Sequence, residues 1–186
     1  MKKIKMKFNI FLLLLTAFTA VAFSQKCPDV GDQIFKQFEW VIPDKLARSS
    51  APHYDIKVGD KSQNMDDNAI KFLEKCKIKN VISLNEFRLP ETAIMKLDSK
   101  KIKYLHLKVK DYDAPKIGQL RDAHKSYNKA QTTLVYCGFG HGRTGTAIAA
   151  FKLYEGKRYT RDQYRKLFHV ETKEQCDVLD ELAKEL

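Results

Sequence analysis

The chain has 186 residues, 44% of them hydrophobic and 31% charged, with 8 Gly, 5 Pro and 4 Cys. That is enough for one domain with a real core and too short for two ordinary ones, and it excludes collagen-like, low-complexity and wholly disordered chains as well as a disulfide scaffold. The formal net charge is +11, not all of it in the folded domain, and the excess of +7 that the domain keeps favours acidic partners, although a basic surface also serves solubility alone.

Lys2, Lys3, Lys5 and Lys7 precede an apolar run from Ile10 to Phe23, which ends at Ala22-Phe23-Ser24 before Gln25. This is the anatomy of a secretory signal peptide, so residues 1–24 are read as removed by cleavage near Gln25 and residues 25–186 as the mature domain. The run is shorter than the roughly 20 apolar residues of a comfortable membrane span. A retained anchor is the alternative, and Lys26 argues against a lipoprotein at Cys27. Residues 1–24 hold four Lys and no acid, so cleavage takes the formal charge from +11 to +7.

In the mature part, Phe38–Ile42 and Leu46–Ser49 read as strands of a hairpin around Pro43-Asp44. Asn64–Lys77 reads as a helix, with Asp66 and Asp67 in its first turn. Val81–Leu84 is a short apolar strand, Pro90–Lys100 a second helix, and Tyr104–Val109 an alternating, half-buried strand. Ile117–Ala130 is helical, Thr132–Tyr136 a buried strand, Thr146–Tyr154 an apolar helix. Arg161–Phe168 and Thr172–Leu186 are the last helices. Strands alternating with helices predict a single α/β domain with a central, mostly parallel sheet flanked by helices on both faces.

Between the strand at Thr132–Tyr136 and the helix after it lies Cys137-Gly138-Phe139-Gly140-His141-Gly142-Arg143-Thr144-Gly145. Such a turn aims several backbone N–H groups at one spot, and the helix N-terminus adds positive potential, which makes an oxyanion cradle. Arg143 adds a planar fork for two phosphate oxygens. A Cys137 thiolate at the mouth of this cradle is a nucleophile aimed at phosphorus. Two rival readings fail. A dinucleotide fold needs a strand with an acidic end about 20 residues on, where Tyr159–Arg165 reads as helix; an ATP-binding loop needs Gly at 137 and Lys at 143. A turn with a merely buried Cys does not account for Cys and Arg six apart across glycines at a helix start.

Cys137 through Thr144 resembles the C-x5-R-[ST] signature of cysteine-dependent protein tyrosine and dual-specificity phosphatases, most closely the small atypical dual-specificity enzymes. The resemblance spans about residues 38–185. Val81–Glu86 looks like the strand before their general-acid loop, Lys108–Pro115 like that loop, and Glu171–Gln175 like the segment after the catalytic strand–loop–helix unit. Tyr136 departs from the pattern, which usually has His before the nucleophile. Low-molecular-weight tyrosine phosphatases carry C-x5-R near the N-terminus, so position 137 argues against them.

The resemblance implies roles. Cys137 is the nucleophile, and Arg143 binds the phosphoryl oxygens together with the N–H groups of Gly138, Phe139, Gly140, His141, Gly142 and Arg143. Thr144 either donates to the Cys137 sulfur or is a plain helix N-terminal hydroxyl. Asp111 is favoured over Asp113 as the general acid. Gln175 either positions the attacking water or is an exposed helix residue. His141 either adds charge near substrate or is a solvated loop His, and Phe139 either meets the leaving group or packs. Arg48-Ser49-Ser50 resembles a segment flanking the site and carries no assigned role. His53, His106, His124 and His169 show no metal-ligand spacing. No metal or cofactor is expected.

Setting Cys137 aside leaves Cys27, Cys76 and Cys176 for at most one disulfide. The helix ending near Cys76 should finish at the pole opposite the catalytic loop and the helix of Cys176 should start near that loop, which disfavours Cys76–Cys176 and leaves Cys27–Cys176 as an alternative. The expected activity is that of an exported phosphatase acting on a phosphorylated protein or small phosphorylated substrate through a phosphocysteine. The rival is a catalytically inactive phosphate-binding module. Nucleic acid is not an expected partner, since the charge comes without a groove-reading motif, and a membrane is met only through an uncleaved signal segment. Substrate identity and oligomeric state are not readable from the sequence.

Overall fold

The computed structural model describes Cys27 and residues 31–186. The expected signal peptide, 1–24, lies outside these residues. After a short helix α1 (Gly31–Ile34), β1 (Glu39–Ile42) and β2 (Leu46–Ser50) form the expected hairpin, turning at Asp44 with a left-handed φ of 55°. Then come α2 (Asp67–Lys75), β3 (Asn80–Ser83), α3 (Glu91–Ser99), β4 (Lys103–His106), α4 (Ile117–Lys129), β5 (Thr133–Cys137), α5 (Gly142–Tyr154), α6 (Arg161–Phe168) and α7 (Lys173–Glu185).

The strands make one sheet in the order β1-β2-β5-β3-β4. β1 pairs antiparallel with β2, and the other pairings are parallel. The C-terminal ends of β2, β3, β4 and β5 therefore share one edge, where open α/β sheets bind ligands. Alternate residues face opposite sides. Leu46, Ile82, Val135 and Cys137 pack with α4, α5, α6 and α7, whereas Ala47, Val81, Leu134 and Tyr136 pack with α2 and α3. The expected α/β sheet with helices on both faces is the observed fold.

The caps explain several boundaries. Asp66 accepts from Ala69 N–H at the start of α2, and Thr160 and Thr172 form capping boxes with Gln163 and Gln175. Two expected boundaries are corrected. The strand predicted over Tyr104–Val109 ends at His106, and Leu107–Val109 runs on as loop. The helix predicted from Thr146 starts at Gly142, because burial of its first turn outweighs the low helix propensity of Gly142 and Gly145.

The disulfide alternative is also corrected. Cys27 is bonded to Cys76, with 4.8 Å between their Cα atoms. Cys76 caps α2 at the pole opposite the edge where the parallel strands end. Cys176 is a buried free thiol in the core of the other face, where Cys27 has no access to it.

Candidate active site

β5 delivers Cys137 to the edge of the sheet, the chain turns through 138–141, and α5 leaves with unpaired N–H groups at its first turn. Gly140 makes the turn possible in two ways. Its φ is +96°, and a Cβ there would lie 2.5 Å from Ser49 O and 2.7 Å from Ser50 N. The end of β2 is laced to the same loop: Ala51 N–H donates to Cys137 O at 2.7 Å and to Gly138 O at 2.9 Å. Cys137 is 3% exposed, and its Sγ accepts the Gly140 N–H at 3.4 Å. The Thr144 hydroxyl is buried and has no hydrogen-bond partner among the described residues, so the expected donation to Cys137 is not made here.

Arg143, in the first turn of α5, is 2% exposed. Nη1 donates to Asp60 Oδ2, to Val109 O at 3.0 Å and to Leu84 O at 3.4 Å. Nη2 donates to Asp60 Oδ1 at 2.9 Å and to Asp111 Oδ1 at 2.6 Å. Burial alone would lower the pKa of the Arg143 guanidinium; the hydrogen bonds it donates to Asp60 and the charges of Cys137, Asp60 and Asp111 overturn this and raise it. The fork is thus permanently charged, and its plane is fixed from behind by Asp60.

Asp60 is the residue that sequence reasoning missed. It sits in a single 3₁₀ turn (Gly59–Lys61) and is almost fully buried. Oδ2 also accepts Glu86 N–H at 2.9 Å, and Asp60 O accepts from Asn85 Nδ2 at 3.0 Å. Asn85 and Glu86 follow β3, so Asp60 joins the 3₁₀ turn, the end of β3 and Arg143.

Asp111 is brought to the site and Asp113 is not. Asp111 lies five residues beyond β4, its side chain half exposed and paired with Arg143. Asp113 is exposed, and only its backbone oxygen touches the machinery, accepting from Gln175 Nε2 at 3.2 Å. Gln175 is fully buried, which corrects its reading as an exposed helix residue. Its Oε1 accepts Glu171 N–H at 3.0 Å and Thr172 N–H at 3.3 Å, while Nε2 holds the Tyr112 and Asp113 carbonyls. It fastens the loop carrying Asp111 to the start of α7.

His141 is stacked on His169 at 4.7 Å and meets Phe139 edge-on at 4.8 Å. Burial pulls its imidazole down to about 4, with Arg48 and His169 adding to the shift. It is therefore neutral near pH 7, and the expectation that it adds positive charge is corrected. Tyr136 points to the opposite face, where its hydroxyl donates to Gln63 Oε1 at 3.2 Å.

A cavity of about 380 Å³ opens over the loop. Cys137 and Arg143 lie at its base, Asp111 and Glu171 bring two carboxylates, and Tyr54, Ile56, Tyr112 and Phe139 form an aromatic and apolar wall. Burial and then Asp111 push the Glu171 carboxyl up, against the pull of the Gly142 N–H, Arg143 and Arg48. Glu171 is a second site residue that sequence reasoning missed, and the only signal for it was the resemblance of the segment it opens. Among the described residues no group of three or more His, Cys, Asp or Glu side chains could hold a metal ion. The arrangement can bind a tetrahedral oxyanion at a loop of N–H groups, aim a thiol at it, and supply a carboxyl from the side.

Residues 35–185 match a family model described as the DSP-PTPase phosphatase domain of a Swiss Army Knife protein. No curated protein matches the chain. Among solved structures it is similar to Tk-PTP in its active form (TM-score 0.56, 22% identity, 76% of this chain and 93% of that one). It is also similar to PTPMT1 in complex with PI(5)P (0.57, 19%, 76% and 92%) and to the core catalytic domain of the PP-IP phosphatase SIW14 from S. cerevisiae (0.57, 20%, 77% and 83%). At these identities the structures share the fold.

Proposed function

The chain belongs to the DSP-PTPase phosphatase family of Swiss Army Knife proteins, and from that premise we propose that it is an active phosphatase that hydrolyses phosphomonoesters through a cysteinyl-phosphate intermediate. One observation carries the reading: the buried Cys137 sulfur, the start of α5, the Asp60-held fork of Arg143 and the Asp111 carboxylate all meet in one cavity.

In the proposed mechanism, a phosphate dianion enters the loop and takes the outward N–H groups of Arg143. Asp111 shares Nη2 of that arginine; the bound anion displaces it, and the freed carboxylate takes up a proton from solvent and turns toward the leaving group. Cys137 Sγ attacks phosphorus, the S–P bond forms as the P–O bond breaks, and Asp111 gives its proton to the departing oxygen. Water then attacks the phosphocysteine and gives a proton back to Asp111; the S–P bond breaks, and inorganic phosphate and the thiolate are released. Arg143 and the loop N–H groups follow the charge of the equatorial oxygens throughout.

The wall and charges of the cavity support a substrate class. Its lining holds four apolar or aromatic side chains, two carboxylates and one arginine already carrying two carboxylates. A single phosphate on an aromatic carrier, as in phosphotyrosine, fits such a mouth better than a ligand carrying several phosphates. Export is supported by the basic and apolar pattern of residues 1–24 and by the Cys27–Cys76 bond, which belongs to an oxidising compartment.

Phosphate release from phosphopeptides, phosphoinositides and nucleotides tests the reading. Phosphotyrosyl peptides are expected to lead, and Cys137→Ser should abolish release while retaining phosphate binding. Release that survives in Cys137→Ser, or is lost on adding EDTA, would overturn the mechanism. A reporter fused to residues 1–30 should cross the cytoplasmic membrane with cleavage near Gln25; retention in the cytoplasm would remove the export half of the proposal.

A further inference from the structure

Arg48 lies on β2 beside β5, in register with Val135. It is 2% exposed, an unusual place for a guanidinium, whose charge then has to be met by acceptors. Its nearest carboxylate, Glu39 Oε1, is 3.7 Å from Nε on an exposed side chain. The close partners are two backbone carbonyls. Nε and Nη2 both donate to Gly140 O, at 3.2 and 2.6 Å, and Nη1 donates to Phe168 O at 3.1 Å. Burial pulls the guanidinium's pKa down, and Glu39, the Cys137 sulfur and Glu171 pull it back up.

The grip falls on one peptide unit. Gly140 C=O and His141 N–H belong to a trans peptide, in which the two groups point in opposite directions. Drawing Gly140 O toward Arg48 therefore aims the His141 N–H away from Arg48, and His141 caps the start of α5. The other arm holds the last carbonyl of α6, and that carbonyl lies against Gly145 in the first turn of α5. Arg48 thus ties the apex of the loop, the first turn of α5 and the end of α6 into one unit from within the sheet.

We propose that Arg48 is a positioning residue for the phosphate loop, holding Gly140 O so that the His141 N–H stays turned toward a bound tetrahedral oxyanion. The inference rests on the phosphatase reading above. Without this grip the Gly140–His141 peptide is at liberty to turn over, since glycine tolerates either orientation, and each anion then has to order the loop as it binds. Lysine keeps the charge and can reach one carbonyl, but it lacks the second donor on Gly140 O and the separate arm to Phe168 O.

The test is tungstate inhibition of aryl phosphate hydrolysis in the parent, Arg48→Met and Arg48→Lys, with thermal melting of each. Arg48→Met should weaken tungstate by about tenfold or more, the loss of roughly one hydrogen bond to a charged group, with KM rising in step, and Arg48→Lys should fall between it and the parent. In labelled parent protein the His141 amide resonance should move on adding tungstate, and in Arg48→Met that response should shrink. A purely structural arginine would lower the melting temperature and leave the tungstate affinity of the folded molecules within about twofold of the parent; that outcome overturns the proposal. If Arg48→Met does not fold, Arg48→Lys decides alone: weaker tungstate binding upholds the proposal and parental affinity overturns it. A parent that neither hydrolyses aryl phosphates nor binds tungstate would instead sink the phosphatase reading itself.

Discussion

Replacing Asp60 with Asn keeps the shape of the side chain and removes the charge that holds Arg143. The carboxylate serves three donors: Nη1 and Nη2 of Arg143 and the Glu86 N–H. Asn has one acceptor oxygen, so in either orientation its NH₂ group faces a donor. Both members of the pair are buried, and breaking a buried ion pair costs about 3–5 kcal/mol. Asp111 and the Val109 and Leu84 carbonyls still serve Arg143, which places the expected loss near the lower end, about 3 kcal/mol. In a chain of this length each kcal/mol moves Tm by about 2–4 °C, so a fall of roughly 6–12 °C is expected. The guanidinium also loses its fixed plane, and misplacement of a catalytic group by about 1 Å costs on the order of 100-fold in rate. Urea unfolding gives the stability, and kcat/KM on an aryl phosphate gives the activity. A loss under about 0.5 kcal/mol with unchanged kcat/KM would refute the idea that Asp60 sets the arginine.

Asp111→Asn should flatten the high-pH limb of the rate profile and cost most with poor alkyl leaving groups, whereas Asp113→Asn should give a smaller loss that ignores the leaving group; the reverse pattern would move the acid by two residues. Thiol titration of the unfolded, unreduced chain should find two free thiols, Cys137 and Cys176, and Cys76→Ala should lose up to about 4 kcal/mol by the chain-entropy account of a 49-residue separation; four titratable thiols would exclude the bond. Because His141 binds its proton only near pH 4 when folded and near 6.5 when unfolded, the unfolded chain takes up more protons in that window and stability falls as pH drops through it. In His141→Gln the fall in urea midpoint from pH 6.5 to 4 should be shallower; His106 and His124, which burial also lowers, contribute to the fall that remains, and Glu171, which burial raises, opposes it.

The parts of the site that were legible in the sequence are those built locally. Cys137 and Arg143 sit within one strand–loop–helix unit, and their spacing alone implies an anion cradle. Asp111 was legible through the resemblance of Lys108–Pro115 to a general-acid loop, and parallel strands that end at a common edge agree with that placement. Asp60 was not, because it reaches Arg143 across 83 residues of chain, and Val58-Gly59-Asp60-Lys61 reads as any polar surface turn. Gln175 carried a capping pattern, but its burial depends on the loop at 112–113 closing over it. The start of α5 was misplaced because Gly142 and Gly145 argue against helix locally, while tertiary contact demands them: a Cβ at Gly145 would run into the Phe168 carbonyl.

The bond between Cys27 and Cys76 fixes where the domain is held as well as how firmly. Cys76 ends α2 just before β3 begins, so it lies at the edge of the sheet from which the parallel strands start, while the cavity opens at the edge where they finish. Any segment joined ahead of Cys27, whether cut away or kept, is attached at the far end of the molecule from Cys137. A domain held at that point keeps the cavity at its opposite end.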